Sequence, residues 1–462
     1  MTDRQKTKHL FYRLGFGFSA EEWRERQNWS PGYSINRLFK GALEAQTPAE
    51  LANAPTTIDK ADKMGENQRK KERENQRLLA ARYNTDWVQR MGAATDDVFL
   101  ERMCLFWHGH FACVTLFGNL AAAQLQTIRR HALGNFRDLT LAIARDVAMI
   151  RFLNNQQNRK EQPNENFARE LMELFTIGRG HYTETDIKEA ARAFTGWSSN
   201  FGGEFVFRKL QHDFDSKTFM GRTGDFDGTD IIDILLENRQ TASFIANKVF
   251  RYFVNAVPVE AQVQELADVF YDSDYDIAVM MRHLVESDWF YAPQNVGTRI
   301  KSPVDLISHL LRSLNLTVNS EWGLVNVQKA LGQVLFNPPN VAGWPGHRNW
   351  IDNSSLLLRL SLGALIFKAA NVDMEVKAIA EGDNRNRRLK NLDAVVDLQP
   401  ILKLTQGLNK DEQIEVLSEL FLPAGVRVSK DLLLFENYSD QPEIFAKDVI
   451  LRLLSLPEYQ LC

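Results

Sequence analysis

Apolar residues recur at helical spacing along almost the whole chain, and only the short stretch between Trp197 and Arg222 alternates as strands do. Helices that each carry one apolar stripe must bury it against other helices. The pattern therefore predicts a mainly α protein of large, orthogonal bundle-like architecture. The exception, with Gly202-Gly203, the alternating Glu204-Phe205-Val206-Phe207 and the turn-rich run from His212 to Gly221, predicts a small β-hairpin insertion around 200–222. This reading gives an N-terminal helical part (1–200), the insertion (201–225) and a C-terminal helical part (226–462) packed as one continuous unit with the first. At 462 residues the chain is roughly two to three times the usual domain length, which a helical protein can still organise around one core.

Thr57 to Arg90 reads as a long helix whose first half is charged and solvated. A helix from Asp96 runs into Trp107-His108-Gly109-His110-Phe111, where Gly109 is expected to distort or end it. Leu120–Leu133 and Phe136–Leu153 follow, and a helix restarts at Asn164 after Pro163. Later helices are expected at Ile231–Glu237, Ala242–Phe253, Val259–Tyr271 and Ile277–Ser287. Ser302-Pro303 followed by Asp305 has the pattern of a capped helix start. Asn337 to Trp350 reads as a loop before a helix over Ser355–Phe367, and Glu381 to Lys390 as a linker.

A net charge of −4 and a pI near 6.2 argue against nucleic acid as partner, because neutralising phosphates needs a basic surplus. No apolar run reaches the length of a membrane span. The N-terminus lacks the apolar core and cleavage site of a signal peptide, which predicts a cytoplasmic protein; trimming before the first residue would make it periplasmic or exported. Cys104, Cys113 and Cys462 are too few and too widely spaced for a disulfide framework or a zinc site. Phosphate loops, nucleophile elbows and dinucleotide fingerprints are absent.

The stretch Asn164 to Trp197 holds six acidic residues, three arginines and a histidine on two expected helices joined by glycines. Glu170 and Glu173, three apart, point together from one helix stripe. With His108 and His110 they make a candidate set for a divalent metal, carboxylates supplying hard oxygen ligands and imidazoles fixing the geometry. The competing reading is ion pairing, since Arg169 lies four residues from both Glu165 and Glu173. Thr183 and Asp186 form a capping pattern for the helix bearing Glu189 and Arg192, which either extend the acidic site or close an ion network. His212, Asp213 and Lys217 fall in a loop, where His212 can serve as general base or third ligand, or all three can simply stabilise a turn. In Asn337 to Trp350, the indoles Trp344 and Trp350 beside Asn340 and His347 suit stacking on a sugar ring or clamping an anion.

The blocks HLFYRLGFG, FWHGHFA, NENFARELMELFTIG, HYTETDIKEAARAFTGW, HDFDSKTFMG and NPPNVAGWPG, in this order, resemble the bacterial domain-of-unknown-function 1800 (DUF1800) family. The resemblance implies a largely helical protein whose relatives are often encoded beside an alkaline-phosphatase-like protein and often carry export signals. This chain departs at Phe175, where many relatives have histidine. Two functions are expected. One is a metal-dependent hydrolase acting on a polar or carbohydrate-like substrate, with His212, Asp213, Lys217, Glu189 and Arg192 as catalytic candidates. The other is a non-catalytic scaffold for the co-encoded alkaline-phosphatase-like partner.

Overall fold

The computed structural model describes residues 1–46, 65–115, 117–200, 203–320, 322–368, 374–375, 388–389, 393–425, 433 and 438–462. Among them are twenty α-helices. The first eight are α1 (Asp3–Leu14), α2 (Ala20–Arg26), α3 (Pro31–Ala45), α4 (Glu66–Gly92), α5 (Val98–His110), α6 (Gly118–His131), α7 (Phe136–Ala144) and α8 (Val147–Phe152). Then come α9 (Asn166–Glu170), α10 (Glu184–Ala193), α11 (Gly228–Glu237), α12 (Arg239–Phe253), α13 (Glu260–Asp272), α14 (Ile277–Glu286), α15 (Pro303–Ser313) and α16 (Gly323–Leu331). The last four are α17 (Asn353–Ile366), α18 (Gln399–Thr405), α19 (Lys410–Phe421) and α20 (Pro442–Leu454). No helix among the described residues is long and apolar enough to cross a membrane. The start of the expected Thr57–Arg90 helix, before Gly65, and most of the Glu381–Lys390 linker lie outside the described residues.

The strand insertion is larger than expected and begins earlier. Two antiparallel hairpins, β1 (Trp197–Ser199) with β2 (Phe205–Phe207) and β3 (Lys217–Phe219) with β4 (Arg222–Gly224), follow one another. Two further two-stranded pairs join β5 (Leu316–Val318) to β8 (Ala394–Val396), and β6 (Met374–Glu375) to β7 (Arg388–Leu389). The expected single helix Phe136–Leu153 is two, because Asp146 leaves helical geometry and its carboxylate accepts the Met149 amide at 3.1 Å as the cap of α8. At Ser302 the expected capping box is present, with Pro303 opening α15.

The central element is α5, buried on every side except at Gly109. Its sequence VFLERMCLFWHGH has two charged groups in the core, Glu101 and Arg102, and each is matched by partners from other elements. Glu101 accepts from Trp87 Nε1 at 2.8 Å, Arg90 Nε at 2.7 Å and both terminal nitrogens of Arg129, tying α4, α5 and α6 together. Arg102 donates to the Gly15 carbonyl and to Asp305, joining α1 and α15. Charges so deep are tolerated only when paired. One cluster of buried apolar side chains extends in sequence from Leu10 to Cys462. The helix does not end at Gly109 as expected. It continues to His110, where the Phe111 amide still reaches the Trp107 carbonyl, and the Gly109 carbonyl is the surface on which Gly343 docks: a Cβ at 343 would lie 2.4 Å from that oxygen.

Candidate functional site

The expected metal set is not assembled. Because α5 stays helical through Gly109, His108 and His110 face different ways and each is already engaged. His108 Nε2 accepts the Phe336 amide at 3.1 Å, with its ring between Trp87, Phe336 and Trp344, and burial pushes it down to about 4. His110 Nε2 lies 3.1 Å from the Phe175 carbonyl, and its Nδ1 lies 3.1 Å from Lys248 Nζ. Burial, aided by Lys248, holds His110 well below the usual histidine range. Glu173 is bound to Arg179 and to Tyr182 Oη at 3.0 Å, whereas Glu170 is half-buried and has no hydrogen-bond or ion-pair partner among the described residues. Burial and then Glu173 raise the Glu170 carboxyl. No group of three or more His, Cys, Asp or Glu suited to a metal ion occurs among the described residues. Phe175, where the resemblance leads one to expect histidine, packs its ring on Phe111 and His110.

The five catalytic candidates do come together, as a fastening for the second hairpin. Arg192 holds Glu189 at 2.9 Å and Asp213 at 2.7 Å, and Glu189 also accepts the Thr218 amide of β3. Lys217 donates to the Asp213 and Asp215 carbonyls. His212 is buried between Phe207 and Phe214, with Nδ1 2.8 Å from the Thr195 carbonyl. Burial raises the Asp213 carboxyl, but the Arg192 bonds outweigh this and the group ends below its ordinary value. The hydrogen bonds of Glu189, Arg192, Asp213 and Lys217 run to one another and to the hairpin backbone, which is the ion-network reading of these residues.

A cleft of about 430 Å³ opens elsewhere, between α5, α12 and the tryptophan loop. Three of the four expected binding residues, Trp344, His347 and Trp350, line it, as does His110. Asn340 does not; it is exposed, and its Oδ1 accepts the Ala342 amide within its own turn. The loop is held in strained backbone: Phe336 and His347 have φ of 64° and 52°, unusual for residues with side chains. Gly343, at φ 78°, needs its missing Cβ to sit on α5. Gly109, whose added Cβ would meet nothing within 4 Å, lines the cleft and leaves it open.

The opposite wall was not foreseen. On α12, Phe244, Asn247, Lys248, Arg251 and Tyr252 follow one another at helical spacing and all face the cleft. Lys248 Nζ donates to the Leu174 carbonyl at 2.7 Å and to His110 Nδ1. The Leu174 carbonyl is available because residues Leu171–Phe175 form a π-helical turn, in which Ile177 and Gly178 both bond to Met172. Burial pushes the Lys248 ammonium down to about 7. Burial first, then Arg251 and Arg299, lower His347. At the base, Asp305 is shared by Arg102 and Arg299, the latter at 2.7 Å. Burial alone would raise the Asp305 carboxyl, but the two guanidinium groups hold it at about 2. The one carboxylate lining the cleft is thus consumed, and among the described residues neither Lys248 nor Arg251 has a carboxylate partner. The signal for this wall was present in TASFIANKVFRYF, where polar and aromatic residues share one stripe.

A family model described as a protein of unknown function (DUF1800) matches residues 9–461. No curated protein and no solved structure matches the chain.

Proposed function

Because the chain belongs to the DUF1800 family, whose description carries no activity to transfer, we propose a function from the cleft: an enzyme acting on a small polar substrate that bears a negative charge. The observation that carries this reading is the placing of Lys248 and Arg251, neither with a carboxylate partner among the described residues, on one wall and of Trp344 and Trp350 on the other. Indole faces take the body of a polar ring, a guanidinium takes a carboxylate or phosphate, and an amine uncharged near neutrality accepts a proton. Hydrolysis by a water activated at Lys248 is the least demanding reaction for such a site. A carbohydrate-like acid fits these walls, and the residues first considered as metal ligands are not required.

Thermal unfolding with a panel of small carboxylates, phosphates, uronic acids and neutral sugars tests the reading. Anionic ligands should raise the melting temperature of the wild type and leave Gly109→Met, which fills the cleft, unmoved. Equal stabilisation by neutral sugars, or none by any anion, would contradict it. A second reading, docking of an alkaline-phosphatase-like partner, draws on the hairpin region, where Leu210 is 89 % and Phe214 64 % exposed. Leu210→Glu with Phe214→Glu should abolish co-purification with such a partner if that surface is used.

A further inference from the structure

We propose that Lys248 is a carbonyl-reactive amine that forms an imine with a small oxo acid seated in the cleft, an inference resting on the cleft being the ligand site. The hydrogen-bond geometry fixes the orientation of the amine. A carbonyl oxygen only accepts, so the proton of His110 is on Nε2, facing Phe175, and Nδ1 is an acceptor. Lys248 therefore donates to Nδ1, and it donates again to the Leu174 carbonyl. A neutral amine has two hydrogens, and both are used. Its lone pair takes the remaining tetrahedral direction, on a side chain that lines the cleft.

Lys301 provides an internal comparison. Its Nζ donates to the Tyr459 carbonyl at 2.7 Å and lies 2.5 Å from His309 Nδ1, the same two kinds of partner. Burial pushes both amines down to about 7. Lys301, however, borders a void of about 10 Å³, room for no more than a water, whereas Lys248 borders about 430 Å³. One arrangement is sealed and the other opens onto a space rimmed by the Arg251 guanidinium and the His347 imidazole, which offer a carboxylate one charge and one further hydrogen-bonding group.

In the step proposed, the Lys248 lone pair attacks the carbonyl carbon. A C–N bond forms while the C=O π pair moves to oxygen, which takes up a proton; nitrogen gives one up, with His110 Nδ1 as its neighbouring acceptor. The resulting hydroxyl leaves as water with a second proton while the nitrogen lone pair forms C=N, and nitrogen then releases its remaining proton, which balances the one carried off in the water. Amine and carbonyl compound become imine and water, and nothing is oxidised or reduced.

The test incubates the full chain with glyoxylate, pyruvate or acetone in the presence of sodium cyanoborohydride, followed by intact mass and peptide mapping, with calorimetric binding of pyruvate measured in parallel without reductant. One reduced adduct per chain is expected, on Lys248, formed several-fold faster from the two acids than from acetone. Lys248→Arg, which keeps the hydrogen-bond donors but has no free lone pair, should give none, and Arg251→Ala should lose the preference for acids. Pyruvate binding without an adduct, or label spread over exposed lysines, overturns the imine and leaves the cleft as a ligand site. Neither binding nor adduct overturns both.

Discussion

Lys248 and Lys301 each meet a backbone carbonyl and a histidine Nδ1 and differ in what lies beyond them; the same contrast between pairing and exposure sets what acidic residues contribute. Asp305 is buried and shared by two guanidinium groups, so Asp305→Asn strands Arg102 and Arg299 in the core. Breaking such an arrangement should cost about 3–5 kcal/mol, read by chemical denaturation. Glu173 pairs with Arg179, whose side chain is 81 % exposed, and Glu173→Gln should cost no more than about 1 kcal/mol. For Glu170 the sign reverses. Its carboxyl is raised by burial and by Glu173, so the charged form is disfavoured in the folded state and Glu170→Gln should leave the melting temperature unchanged or raise it. A large loss there would mean that Glu170 has a cationic or metal partner.

Among the elements, the tryptophan loop and α5 meet backbone to backbone, and that contact shapes the cleft. Gly343→Ala would bring a Cβ to 2.4 Å from the Gly109 carbonyl at a φ of 78°, so the loop must lift. The expected outcome is unchanged helical circular dichroism with lost stabilisation by anionic ligands; retained ligand stabilisation would show that loop docking does not shape the site. Periodicity revealed most helices, and the Pro- and Trp-rich composition of Asn337–Trp350 marked half of the cleft. The other half escaped because Lys248 and Arg251 sit on a helix whose apolar stripe fully accounts for its amphipathicity. The acidic stretch carries two readings at Glu189 and Arg192, and spacing alone does not choose between them: in the fold both join Asp213 in an ion network that fastens a hairpin. The π-helical turn at Leu171–Phe175 is not legible in the sequence, since a single turn with one extra residue is too short to shift the apolar periodicity recognisably.

At the scale of the whole molecule, three lysines among the described residues are pushed by burial to about 7 in the folded state, Lys8, Lys248 and Lys301. In the unfolded chain they return to about 10.4. Between those values the unfolded state holds more protons, so stability rises with pH. Asp146, which burial holds up to about 7, acts in the opposite sense, but only below that pH. The melting temperature should therefore climb between pH 7 and pH 9, and Lys301→Met should flatten the climb; a decline over this window would contradict the burial of these amines. The central claim, that Lys248 is an uncharged amine facing an accessible cleft, is tested most directly by competitive labelling with a limiting amine-acylating reagent just above neutral pH, quantified lysine by lysine. Lys248 should label fastest, be protected by a bound anion, and far outpace the sealed Lys301. Labelling of Lys248 no faster than that of exposed lysines, or indifferent to anions, would contradict the account.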